Sequence, residues 1–414
     1  MSEKKKSACP AFGKCGGCSL INKDYKDGVN EKSKALIKLL APFVKVESFI
    51  AMDDPYNYRN KVLSTFGEDG KHNIISGIYE EKSRRIVPMD HCLLENRKAD
   101  EIIVTIRGLL RSFKIRPYNE RNGYGLLKHV LIRVGAATGQ IMVVLVLTSP
   151  ILPSKNNFVK ALVKVHPDIS TIVINVNERN TSMVLGKRDI PVYGKGFIED
   201  ELCGMRFRIS PQSFYQVNPV QADILYNKAM EFAGLTGKES VLDAYCGTGT
   251  IGLIASRNAK NVIGVELNPE AVKDAVNNAR ANGVKNASFY CDDATSFIGK
   301  MAEEGVKCDV VLMDPPRSGS TEEFLKAVVR MGPEKVVYVS CNPETLARDL
   351  KFITKRGYKV SRAVGVEMFP WTNHVESCVL LERVSNRKAD SYVKLNVKME
   401  DYYRIKDAEK KTDE

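Results

Sequence analysis

Apolar residues along this chain come in short runs separated by polar turns. A polar stretch from Asp24 to Leu40 reads as a helix. Further on, residues 129–135 (HVLIRVG) and 140–148 (QIMVVLVLT) flank Ala136-Ala137-Thr138-Gly139, which predicts a hairpin. Residues 171–177 and 181–186 flank a second turn at Glu178-Arg179-Asn180. From about Met205 the pattern changes, and apolar strands alternate with helical segments. The strands are read at residues 241–245, 261–266, 288–290, 309–313, 336–340, 359–366 and 375–381. Asn268-Pro269 and Asn342-Pro343 pair a cap residue with a proline that suits the first helical position. This alternation predicts an α/β unit with a seven-stranded, mostly parallel sheet covered on both faces. Ligands in such sheets sit beyond the carboxyl ends of the strands. The expected division is a cysteine-bearing segment over 1–95, a β-rich domain over 96–205, the α/β domain over 206–384 and an extension over 385–414.

Composition sharpens this only in places. With 43% hydrophobic and 27% charged residues, the chain can bury several cores and still present a solvated surface. No apolar run approaches the ~20 residues that span a bilayer. No secretory signal is read at the N-terminus, so a cytoplasmic protein without a membrane is expected, and no obligate protein partner is apparent. The net charge of +12 is uneven. Residues 1–205 hold 32 Lys+Arg against 22 Asp+Glu, whereas residues 206–414 hold 30 against 28. A basic front half predicts a polyanion-binding surface apart from the chemistry. Lys128, His129 and Arg133, on an expected strand, are its candidates. The ten cysteines are too many to ignore in a cytosolic chain, where disulfide frameworks are rare. Some should be metal ligands or catalysts, and the rest small core residues.

Chemistry-bearing residues gather at the strand ends. Gly247, Gly249 and Gly252 fit a glycine turn between strand and helix, which lets a ligand approach the backbone closely. Glu266 ends the next strand, where a carboxylate can accept from ribose hydroxyls. Asp243 lies inside the first strand, and an acid there suits a cationic ligand such as a sulfonium amino acid. Asp293 is read either as an adenine contact or as a helix cap. Asp314-Pro315-Pro316-Arg317 closes the fourth strand in a stiffened turn. Cys341 lies immediately before a helix start, a position that lowers a thiol pKa. Glu376 opens the last strand, where a carboxylate can act as a base.

Several segments, in order and spacing, resemble the RNA uracil-5-methyltransferase family over nearly the whole chain. They are residues 214–222 (FYQVNPVQA), 242–252 (LDAYCGTGTIG), the Glu266 strand end, Asp314–Arg317, Ser340-Cys341-Asn342-Pro343 and His374-Val375-Glu376. The resemblance implies a class I Rossmann-like methyltransferase domain preceded by a β-rich RNA-binding domain with a cysteine-ligated cluster. It implies that Gln216, Tyr245, Glu266 and Asp314 bind S-adenosylmethionine, with Thr250 and Asp293 as further contacts. It makes Cys341 the nucleophile and Glu376 the proton acceptor. Cys9, Cys15, Cys18 and Cys92 look like the family's [4Fe–4S] ligands. By chemistry alone they suit zinc equally, and a redox-active Cys15-Gly-Gly-Cys18 is a third reading. Cluster-bearing bacterial members act on the large ribosomal subunit, so 23S ribosomal RNA is the implied partner. A transfer-RNA uracil-5-methyltransferase is the alternative with the same chemistry. A non-catalytic Fe–S RNA-binding protein is the alternative of another class, and intact Asp314, Cys341 and Glu376 argue against it.

Overall fold

The computed structural model describes residues 9–179 and 183–384. Asn180 of the expected second turn, Thr181, Ser182 and the extension 385–414 lie outside the described residues. Helix α1 (Tyr25–Leu40) starts where Asp24 accepts from the Lys26 N–H at 2.9 Å, an N-cap bond. It buries Leu36 and Leu40 and leads to a three-residue strand, β1 (Ser48–Ile50).

Seven strands then form the central sheet, in the order β4-β3-β2-β5-β6-β7-β8. They are β2 (Lys61–Glu68), β3 (Ile74–Tyr79), β4 (Ile86–Pro88), β5 (Leu127–Val134), β6 (Ile141–Leu147), β7 (Ile169–Val176) and β8 (Arg188–Tyr193). Helix α2 (Arg97–Ser112) precedes β5, and α3 (Lys155–Val165) carries the chain across from β6 to its parallel neighbour β7. The hairpin expected at residues 136–139 joins antiparallel β5 and β6, with Gly139 at φ +68°. The strand opposite β7 is β8, however, and not residues 183–186, the described part of the expected strand. The Asn177 side-chain amide donates to the Met183 and Val184 carbonyls at 2.8 and 2.9 Å, holding that stretch as a loop.

The central sheet is covered on both faces. Ile102, Ile106 and Leu110 of α2 and Phe158 and Leu162 of α3 pack on Val130, Ile132, Val143 and Leu145. Leu131, Met142, Val144 and Val146 face the other way, into a core shared with the C-terminal half. This overturns the expectation that Lys128, His129 and Arg133 offer a surface to RNA. Lys128 is 8% exposed and donates to the Arg179 carbonyl at 2.7 Å. His129 is tied to Thr65 Oγ1 at 3.1 Å, and burial lowers its pKa to about 4. Arg133 is 4% exposed and donates to the Ser213 and Pro211 carbonyls. A strand sandwiched between two layers has no face left for a solvated cation.

A short hairpin, β9 (Ile198–Leu202) and β10 (Met205–Ile209), leads into α4 (Pro219–Ala233). Strands and helices then alternate as predicted: β11 (Ser240–Ala244), α5 (Thr250–Ser256), β12 (Asn261–Glu266), α6 (Pro269–Ala281), β13 (Ala287–Cys291), α7 (Ala294–Glu303), β14 (Val310–Met313), α8 (Glu322–Met331), β15 (Lys335–Ser340), α9 (Pro343–Thr354), β16 (Tyr358–Val366) and β17 (Glu376–Arg383). Asn268 and Asn342 cap α6 and α9, each followed by proline. The sheet has eight strands, not seven, in the order β1-β16-β17-β15-β14-β11-β12-β13. The extra strand is β1, which pairs parallel to β16 with Ser48 opposite Val364. Three residues are too few to show a strand pattern, so only the open edge of β16 reveals their role. Only β17 runs antiparallel to its neighbours. Strand order reverses at β11, between β12 and β14, which opens a crevice at the carboxyl ends. Among the described residues no helix is long and apolar enough to cross a membrane.

Candidate active site

The turn after β11 forms one wall of that crevice. Tyr245, Gly247 and Gly249 all take positive φ, at 63°, 55° and 81°, so the backbone doubles back before α5. The Asp243 carboxylate accepts from the Gly252 N–H at 2.7 Å and braces this turn. A Cβ on Gly252 would stand 2.7 Å from that carboxylate, so a side chain there would break the brace. Asp243 is 1% exposed, and burial raises its pKa to about 8. The acid expected to meet a cationic ligand is therefore spent on the backbone.

Glu266 ends β12 with one oxygen accepting from Gly247 N–H (3.1 Å) and the other from Asn268 N–H (2.9 Å). Its half-exposed carboxylate so lies against the glycine turn. Thr250 opens α5, its hydroxyl 3.4 Å from that of Thr248. The Tyr245 hydroxyl lies 3.3 Å from Ser320 Oγ, and its ring packs on Phe324. Asp293 caps α7 through Oδ1, which accepts from the Ser296 N–H at 3.0 Å, and this cap leaves its Oδ2 to a ligand. Gln216, 8% exposed, donates to the buried Tyr226 hydroxyl at 3.2 Å. Tyr226 is a residue that sequence reasoning missed. Its pKa is raised by burial first and then by Asp314 and Glu376, which places it beside both carboxylates. As an aromatic residue on an apolar helix it gives no signal beyond core packing.

Cys341 and Glu376 meet across the antiparallel pair β15–β17. Ser340 pairs with Ser377, so the next residue on one strand and the preceding one on the other stand opposite each other, on the same face. Glu376 is 4% exposed, and no hydrogen bond to its carboxyl is made among the described residues. Burial, then Asp314, pushes its pKa well above the carboxylate range, while Arg317 opposes. Asp314 is likewise pushed up by burial, to about 7. The Cys341 thiol is raised to about 11 by burial, Glu376 and Asp314, in that order, against Arg317. This corrects the expectation of a lowered thiol pKa. The start of α9 lies beside the thiol, but burial and two carboxylates outweigh it. Arg317 was also missed as a participant. Its carbonyl accepts from Asn342 Nδ2 at 3.1 Å, and its guanidinium lies 3.4 Å from His374 Nε2. The Asp314 turn and the Cys341 turn are thus latched together.

The N-terminal cysteines form a separate group. Cys9, Cys15, Cys18 and Cys92 all pack into one small core with Tyr58, Leu94 and Trp371. The Cys18 thiol is raised to about 11 by burial and then by Cys15 and Cys9. Burial raises the Cys92 thiol to about 12. Among the described residues, no group of three or more His, Cys, Asp or Glu side chains is arranged to hold a metal ion. The four expected ligands therefore share a core without forming a ready site for a single ion.

A family model described as tRNA (Uracil-5-)-methyltransferase matches residues 24–384. The chain belongs to this family. As a member it is an S-adenosylmethionine-dependent RNA methyltransferase. An uncharacterized RNA methyltransferase of Caldanaerobacter subterraneus subsp. tengcongensis is 43% identical over 380 residues, 91% of this chain and 84% of the relative. Another from Halalkalibacterium halodurans is 42% identical over 385 residues, 92% and 84% of the two chains. Among solved structures, the tRNA (uracil-54, C5)-methyltransferase of Pyrococcus abyssi in complex with S-adenosyl-L-homocysteine superposes with a TM-score of 0.74. That pair is 31% identical and covers 88% of this chain and 86% of the other.

Proposed function

We propose that this methyltransferase acts on C5 of a uridine in RNA through a covalent bond between Cys341 Sγ and C6. The observation that carries the reading is Cys341 facing Glu376 across β15–β17, with Asp314 beside both. C5 of uracil is a poor nucleophile. Once Cys341 has lost its proton, its thiolate adds to C6 and the C5–C6 pair moves into an enolate, which makes C5 reactive. When bound, S-adenosylmethionine supplies an electrophilic methyl group. C5 then carries methyl and hydrogen, and the Glu376 carboxylate takes that proton. The C6–S bond breaks, the double bond re-forms and the thiolate is released. Both roles need the ionised form, and Arg317 is the neighbour that favours it at both groups.

Gln216, Tyr245, Thr250, Glu266, Asp293 and Asp314 are the residues that would hold the methyl donor. The glycine turn and the half-exposed Glu266 carboxylate suit its ribose, and Asp314 lies nearest the reacting groups. Cys9, Cys15, Cys18 and Cys92 would hold a [4Fe–4S] cluster, a reading supported by four thiols in one core. The Cys18 and Cys92 thiols, raised chiefly by burial, need a cationic centre to ionise, and a cluster supplies one. The cysteine set favours 23S ribosomal RNA as substrate. Transfer RNA is the second reading, favoured by the Pyrococcus abyssi structure, whose own substrate is a tRNA.

RNA carrying 5-fluorouridine tests the chemistry, because fluorine cannot leave as a cation. Wild type should form a methylated covalent adduct on denaturing gels. Cys341→Ala should form none. Glu376→Gln should accumulate the methylated adduct even on uridine, since elimination requires loss of the C5 proton. A Cys341→Ala adduct, or wild-type turnover by Glu376→Gln, would overturn the proposal.

A further inference from the structure

With β5 buried on both faces, the basic front half must meet RNA elsewhere. A cavity of about 1030 Å³ opens between the end of β2, the β3–β4 hairpin and the loop over residues 116–125. Its volume is at the top of the roughly 300–1,000 Å³ range of small-molecule pockets, and it lies open to solvent as a trough along the loop. The loop over 116–125 is pre-shaped. Asn119 and Asn122 side chains accept from the Arg121 and Tyr124 N–H groups at 2.9 and 3.0 Å. At its base, a Cβ on Gly125 would stand 2.0 Å from the Pro117 carbonyl, so only glycine closes it. Glu120 latches the loop to the hairpin by accepting from Arg84 at 2.7 Å and Tyr79 at 3.3 Å. The latch neutralises Arg84. Arg116 and Arg121 also line the cavity, and their guanidinium groups make no hydrogen bond or ion pair among the described residues. Tyr124 stands 76% exposed at the rim.

Unpaired guanidinium groups beside an unstacked aromatic ring on a rigid loop match what single-stranded nucleic acid requires: phosphate charges neutralised, and a free base face to stack. We infer that this trough, centred on Arg116, Arg121 and Tyr124, is a second contact for single-stranded substrate RNA, remote from the target base. The inference rests on the reading of the chain as an RNA enzyme. The separation follows from β2. Asn60, just before it, donates to the Val217 carbonyl beside Gln216, whereas Glu68 at its far end lines the trough. Eight residues of strand span about 25 Å. The trough therefore holds RNA several nucleotides from the base that meets Cys341, and so selects for a strand unpaired beyond the target.

The test measures binding alone, with a fluorescein-labelled oligouridylate followed by anisotropy over a range of salt. Arg116→Glu with Arg121→Glu should weaken binding and lower the slope of log affinity against log salt by about 1.4, or about 0.7 for each lost phosphate contact. Tyr124→Ala should lose roughly ten-fold in affinity with the slope unchanged. Lys351→Glu with Lys355→Glu, exposed in the last turn of α9 and at its C-cap, is the control for general electrostatics, and thermal melting confirms that each variant folds. An unaltered affinity and slope in the Arg116/Arg121 variant overturns the inference, whatever Tyr124→Ala does. An equal loss in the α9 control overturns it too. Because anisotropy needs no turnover, failure here is distinct from failure of the covalent chemistry, which the 5-fluorouridine adduct reads.

Discussion

Glu376 makes Cys341 harder to ionise, Asp314 does so at both groups, and Arg317 is the counterweight. Alkylation of Cys341 by iodoacetamide, followed by peptide mass spectrometry, reads the thiolate fraction directly. In wild type the rate should climb about ten-fold per pH unit until it levels near 11. Glu376→Gln removes a negative neighbour, so its profile should move to lower pH. Arg317→Ala removes a positive one, so its profile should move to higher pH. A profile indifferent to Glu376→Gln would show that the two groups do not interact. At this scale the sequence marked Cys341 and Glu376 as candidates through motifs shared with a known family, and the structure brings the two together. The sequence misjudged the thiol's pKa, because the carboxylates that raise it lie 27 and 35 positions away.

Among the elements, α1 and the segment after β16 are joined by an ion pair that no local pattern reveals. Lys32 donates to Glu367 and to the Phe369 carbonyl, with the two side chains 5% and 1% exposed. Removing one partner of such a pair strands a charge in the interior. Lys32→Met should therefore cost about 3–5 kcal/mol in urea unfolding, and Lys32→Met with Glu367→Met should recover most of it. A single variant as stable as wild type would mean that the pair is not buried in solution. Helix starts such as Asn268-Pro269 and Asn342-Pro343 were legible, because capping is decided within a few residues. The strand β1 was not, because its partner β16 lies more than 300 residues away.

Across the whole molecule, the N-terminal cysteines and the segment leading into β17 meet at Trp371, the chain's single tryptophan. Its carbonyl accepts from Ser19 and Leu20, its indole N–H donates to the Pro55 carbonyl, and its ring lies between Tyr25 and Tyr56. Trp371 also lies five residues before Glu376. Anaerobically purified protein should contain iron and sulfide with broad visible absorbance, and stripping the iron should shift Trp371 emission. Stoichiometric zinc without sulfide, or emission that ignores iron loss, would refute the cluster reading. Alternation of strand and helix, glycine turns and caps determined the α/β class and the order of the strand ends, because these depend on neighbours in the chain. Only the tertiary structure decided which faces of the central sheet stay dry, that β1 completes the larger sheet, and that Tyr226 and Arg317 lie near Glu376. Burial and long-range pairing bring together residues whose separation along the chain carries no trace of their contact.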